Sequence, residues 1–115
     1  MRAPRKPRAP LDAASLRDLA LGYVARFATS RAKLAVYCRR KIIERGWKTG
    51  ENADGISEIE PLAARLAELG YLDDAAFAAQ KSGALTRRGY GVRRVSQALV
   101  AAGIEPDDRA QAVDS

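Results

Sequence analysis

The chain has 115 residues, 47% hydrophobic and 30% charged, with a formal net charge of +6 at pH 7. That length suits one small domain, and no apolar run approaches the ~20 residues of a membrane-spanning helix. There is no histidine and one cysteine, Cys38, so an internal disulfide is excluded and the commonest general base and metal ligand is missing.

Charge is placed unevenly: residues 1–10 carry +4, residues 29–50 carry +6 and residues 51–70 carry −4. Such blocks invite an anionic partner, nucleic acid above all, although basic solvated surfaces are common. Residues 1–10, MRAPRKPRAP, hold three prolines and four cations. They read as a disordered basic arm, and without an apolar core segment they are not a secretory signal. A lone cysteine points to a reducing cytoplasm.

Ala and Leu dominate the apolar fraction, which favours helix. From residue 11 to 28 the spacing Leu16, Leu19, Ala20, Tyr23, Phe27 predicts an amphipathic helix, with Asp12 or Ser15 as its cap. Ser30 can cap a second helix over 31–45 that Gly46 closes. Leu34, Cys38 and Ile42 make its inward stripe, whereas Lys33, Tyr37, Arg40 and Glu44 share another face. Val36 and Ile43 fit neither, so this helix is expected to be contacted on two sides. Residues 47–60 contain KTGENADG, a loop without periodicity.

Ile59, Leu62, Leu66 and Leu69 mark a third helix. A start at Pro61 is expected, because a residue before proline disfavours helix. Gly70 ends it, Tyr71 and Leu72 are expected to be buried at a joint, and Asp73 caps a fourth helix to about Arg88 with Phe77, Ala84 and Leu85 inward. Arg88-Gly89-Tyr90-Gly91 breaks the chain before a fifth helix, with Val92, Val95, Leu99 and Ala102 inward. Gly103 stops it, and Glu105-Pro106-Asp107-Asp108 opens a short sixth.

Registers repeat. Leu16 and Phe77, Val24 and Leu85, Ser30 and Gly91, and Leu34 and Val95 all match at an offset of 61 residues. Later punctuation, Gly46 with Gly103 and Glu60-Pro61 with Glu105-Pro106, matches at shorter offsets. The expected fold is therefore all-α: an elongated array of tandem three-helix repeats, residues 11–70 and 71–115, the second cut short in its last helix.

No catalytic constellation emerges. Cys38 lies on an apolar stripe as a small core residue would. Asp73 and Asp74 suit helix capping better than a metal or catalytic pair, and no glycine pair forms a phosphate loop. An enzyme is not expected, nor a cofactor. The candidate binding residues are Arg31, Lys33, Arg39, Arg40, Lys41, Arg87, Arg88, Arg93 and Arg94, adjacent pairs flanking helix starts.

The segments LAELGYLDDAAFA and RRGYGVRRVSQALVAAGI, with YVARFATSRAKL upstream, resemble the RecX family of bacterial regulatory proteins over about residues 12 to 113. Two Gly-Tyr punctuations at the family's spacing make the match specific. The resemblance implies tandem three-helix repeats that lodge in the groove of the RecA recombinase filament. It implies modulation, usually inhibition, of strand exchange, ATPase and co-protease activity, and so a cytoplasmic regulator of recombination and the SOS response. Direct, weaker contact with single- or double-stranded DNA and a monomeric state are also expected. Family members usually hold three repeats, and the second helix and the 47–60 loop are longer here than the common pattern. Two other readings compete: an independent basic DNA-binding module, and a helical adaptor whose charge serves solubility.

Overall fold

The computed structural model describes residues 8–48 and 54–114. The described residues form six α-helices: α1 (Ala13–Arg26), α2 (Arg31–Arg45), α3 (Ile59–Glu68), α4 (Asp74–Arg87), α5 (Val92–Ala101) and α6 (Pro106–Asp114). The described residues contain no strand, only a parallel bridge in which the Leu11 N–H donates to Gly46 O and the Lys48 N–H donates to Leu11 O, each at 2.8 Å. Residues 1–7 of the basic arm and 49–53 of the loop lie outside the described residues. The all-α array is flattened and extended, 49 × 39 × 20 Å.

Local chemistry sets each boundary. Asp12 and Ser15 act together as a reciprocal capping box: the Ser15 N–H donates to Asp12 Oδ1 and the Asp12 N–H to Ser15 Oγ, both at 2.9 Å. Ser30 accepts from Lys33 N–H at 3.1 Å to start α2, and Asp73 accepts from Ala76 N–H at 3.0 Å to start α4. Three helices end alike. After Gly70, Gly89 and Gly103, each at positive φ, the N–H of Tyr71, Tyr90 or Ile104 reaches back to a carbonyl five residues earlier.

The helix α1 runs 13–26 rather than 11–28, because Asp12 is the cap and Phe27 has already gone extended. The start of α3 also differs from expectation. A 3₁₀ turn over Ile56–Glu58 leads into α3 at Ile59, and Pro61 is its third residue. Amides in a first turn have no intrahelical acceptor, so proline forfeits no bond there. Burial of Ile59 at 4% exposure favours the earlier start.

The 61-residue register holds in three dimensions: α1 and α4 both have 14 residues, and their caps Asp12 and Asp73 correspond. Each set of three helices has its own core. One gathers Leu11, Leu16, Ala20, Leu34, Cys38, Ile42, Ile59, Ala63, Leu66 and Leu72. The other gathers Phe77, Ala78, Val95, Leu99, Ala102, Ile104 and Ala112. Buried Ser82 ties α4 to α6 through a 3.0 Å bond from its hydroxyl to Ala112 O.

Four apolar residues expected inside are outside: Phe27 at 51% exposure, Leu69 at 53%, Tyr71 at 57% and Val92 at 64%. Ten residues of helix leave Leu69 about 80° away from Ile59, off the stripe that Ala63 and Leu66 complete. Val92 is the first residue of α5, and helical side chains lean toward the N-terminus, past the helix end. At the joint only Leu72 is buried. It enters the first core, although its register partner Leu11 opens that same core one repeat earlier. In α4, Ala84 and Leu85 are half-buried, and the buried face is Phe77, Ala78 and Ser82.

Contacts at the start of α2 seat one unit on the other. The Ser30 hydroxyl, wholly buried, donates to Ala102 O at 2.6 Å while also capping α2. The Arg31 N–H donates to Asp74 Oδ1 at 2.8 Å, so the first residue of α4 satisfies an orphan amide at the start of α2. A methyl group at Gly103 would collide with Ala32 Cβ.

Candidate binding surfaces

The nine candidate cations fall into local groups whose surroundings differ. Arg31 and Lys33 are drawn toward the seam between the units. Arg31 Nη2 lies 3.6 Å from Glu60 Oε2, and Lys33 Nζ is 5.6 Å from the Phe77 ring centroid. The groove beside them, about 440 Å³, is acidic, with Glu60, Asp74, Glu105 and Asp108 in its wall.

Arg40 and Lys41 stand over an aromatic stack. Tyr23 and Tyr37 have ring centroids 4.2 Å apart at 21°, and Phe27 joins Tyr23 at 5.1 Å. Arg40 and Lys41 both place their charge 5.7 Å from the Tyr37 centroid, and Arg26 sits 5.7 Å from Phe27. Charge here is partly compensated. Glu44 lies 3.8 Å from Arg40 and 3.5 Å from Lys41, and Asp18 lines the same groove. Arg39 is exposed nearby, as are Val36 at 67% and Ile43 at 74%, so the outer face of α2 is uncovered from Val36 onward, whereas Ala32, one turn earlier on that face, meets Gly103 of the second unit.

Arg88 and Arg94 flank Tyr90, with guanidinium carbons 5.6 and 5.2 Å from its ring centroid. The local fold dictates this. Arg88 is the last residue of α4's cap, Gly89 at φ 94° turns the chain, Tyr90 is held by its N–H to Leu85 O at 3.1 Å, and α5 restarts after Gly91. The resulting groove of about 340 Å³ is lined by Leu85, Arg88, Tyr90, Arg94, Gln97 and Ala98. Among the described residues no carboxylate lines it. Arg87 and Arg93 are exposed, the Arg87 guanidinium lying along Gly83.

Chemically, these surfaces can pair with anions and stack on planar groups. Burial pushes the Cys38 thiol up to about 11, away from reactivity. The amide and hydroxyl of Ser15 hold Asp12 below its usual value, as capping should. Among the described residues no group of three His, Cys, Asp or Glu could hold a metal, and no helix is long and apolar enough to cross a membrane. Sequence reasoning placed Tyr23 and Phe27 on a core stripe and missed their stacking with Tyr37. The available signal was the face shared by Lys33, Tyr37 and Arg40, an aromatic between cations at helical spacing. Tyr90, read only as punctuation, was missed as the centre of an arginine pair.

Residues 73–113 match the family model described as RecX, second three-helix domain. A curated relative, Regulatory protein RecX of Myxococcus xanthus (strain DK1622), is 30% identical over 105 residues, covering 90% of this chain and 55% of the relative. The chain thus spans about half the length of the curated relative it matches. No solved structure matches it significantly.

Proposed function

The chain belongs to the RecX family, and on that premise we propose that it binds the RecA–DNA filament and inhibits its recombinase, ATPase and co-protease activities. The observation that carries this is the match of residues 73–113 to the second three-helix domain of RecX. The physical arrangement supports it. A flattened array with cation–aromatic clusters on α2 and at the α4–α5 corner offers several contacts along a filament groove. The protein acts as a cytoplasmic monomer without a cofactor, as a regulator of DNA repair and the SOS response rather than an enzyme. Arg39, Arg40 and Lys41 on α2, with exposed Val36 and Ile43 between them, supply the protein-facing surface, because apolar area beside guanidinium groups suits a protein interface core.

One observation favours a second reading, an independent DNA-binding module: the uncompensated Arg88, Tyr90 and Arg94 cluster. Against it, neither α2 nor α5 carries an asparagine and Gln97 is the one side-chain amide on the two helices, a thin set for base-edge readout in a groove. Titration of the chain into RecA on single-stranded DNA should lower ATP hydrolysis at or below equimolar ratio, with the chain sedimenting alongside the filament. Unchanged hydrolysis without cosedimentation would refute filament regulation. Steeply salt-dependent, sequence-selective binding to bare duplex would favour the second reading.

A further inference from the structure

The grooves differ in one respect that decides what they can hold. Carboxylates line the seam groove and the Tyr23–Tyr37 groove, and Asp73 lines the apolar groove beside Tyr71 and Phe77. The groove around Tyr90 has two arginines, a half-buried phenol ring, the Gln97 amide and no acid. Neither Arg88 nor Arg94 has an ion-pair partner among the described residues. The same corner carries the start of α5, whose N-cap Gly91 provides no side-chain cap and whose first turn has no acidic residue. The positive end of that helix dipole therefore adds to the arginine field.

A ring bordered by guanidinium groups is a surface on which a nucleobase stacks, while the same cations meet phosphate. A volume of about 340 Å³ is at the lower end for small-ligand sites, suited to a single nucleotide unit. We propose that this groove seats one nucleotide: its base against Tyr90 and the flanking guanidinium planes, its phosphate against Arg88 and Arg94, with the Gln97 amide at the rim. The inference deepens the filament reading by locating the nucleic-acid contact in the second unit and leaving α2 for protein. The unit-one counterpart is unsuited, because Glu44 and Asp18 offset its cations and Tyr37 is already stacked on Tyr23.

The nucleotide could belong to a strand or be free, and the assay separates the two. Fluorescence anisotropy of labelled oligo(dT) is measured with the full chain and no recombinase, with free ADP and dTMP as competitors. Tyr90→Leu should weaken strand binding about tenfold, as loss of one stacked base does, and Tyr90→Phe should retain it. Arg88→Gln with Arg94→Gln should weaken it further, while Arg17→Gln with Lys81→Gln, the same loss of charge at exposed positions away from the groove, should change it little. Competition by free nucleotide assigns the site to nucleotides in general, and its absence assigns it to a strand; either supports the proposal. Equal affinity of Tyr90→Leu and the parent, equal binding of an abasic oligonucleotide, or equal loss from the two charge-removing pairs overturns it. Circular dichroism of each variant excludes unfolding. Because no recombinase is present, failure here leaves filament regulation untouched, and a variant that loses the strand but still suppresses RecA hydrolysis separates the two conclusions.

Discussion

Cys38 shows how a single position reports on the core around it. It is 1% exposed between Leu34 and Ile42 on the inner face of α2, and desolvation holds its thiol protonated up to about 11. With that value, thiolate is on the order of one part in a thousand near pH 8. Absorbance with a disulfide reagent should therefore show a slow native reaction, at least ~100-fold below that of the urea-unfolded chain. A native rate equal to the unfolded one would mean that the first core opens freely. The capping residues were legible for the same local reason: Asp12, Ser30 and Asp73 satisfy amides within three residues of themselves. Tyr23 on Tyr37 was not, since it depends on how α1 crosses α2, which no local spacing encodes.

Among elements, helix ends carry the fold's information more faithfully than helix faces. The break at Thr29-Ser30 and the stops at Gly46, Gly70 and Gly103 are visible in sequence because each rests on an intrinsic backbone preference. The stripe through Leu69 and the burial of Tyr71 were misjudged because burial depends on a neighbouring element's position. The glycines at two of these stops have unequal surroundings. Gly70, at φ 85°, has nothing within 4 Å of where a Cβ would sit, whereas Gly103, at φ 76°, faces Ala32. Gly70→Ala should therefore cost only the left-handed backbone penalty, about 1 kcal/mol. Gly103→Ala adds a collision across the seam and should cost about 3 kcal/mol. Urea denaturation of both variants checks the difference, and equal losses would show that the seam yields.

For the molecule as a whole, two small cores depend on one another. Neither unit is large, and a core of this size is marginal on its own. Ser30 carries much of the connection: one hydroxyl starts α2 and satisfies the Ala102 carbonyl at the end of α5. Ser30→Ala removes a cap and strands a buried acceptor, which should cost about 2 to 4 kcal/mol. Calorimetry should show one cooperative transition in the parent and a lower or divided one in the variant. An unshifted single transition would mean that the units hold together without it. The repeat itself was legible from offsets in punctuation, but this connection was not, since serine at a cap gives no sign of a partner 72 residues away.

The inequality of α2 and α5, 15 residues against 10, has a mechanical consequence. Both helices begin in the same register, and α2 is anchored at its first residues by Ser30 and Arg31. Its extra turn therefore extends away from that anchor as a lever arm whose far end is held by the Leu11 bridge to Gly46 and Lys48 and by the Arg45 guanidinium on Ala9 O. Arg45 lies 14 residues beyond Arg31, roughly 21 Å along the axis at 1.5 Å per residue. Lengthening or shortening α2 near Arg45 would change how far its outer residues reach while leaving the fulcrum where it is. Reach is thus set beside the Leu11 bridge and angle at the seam, by different residues.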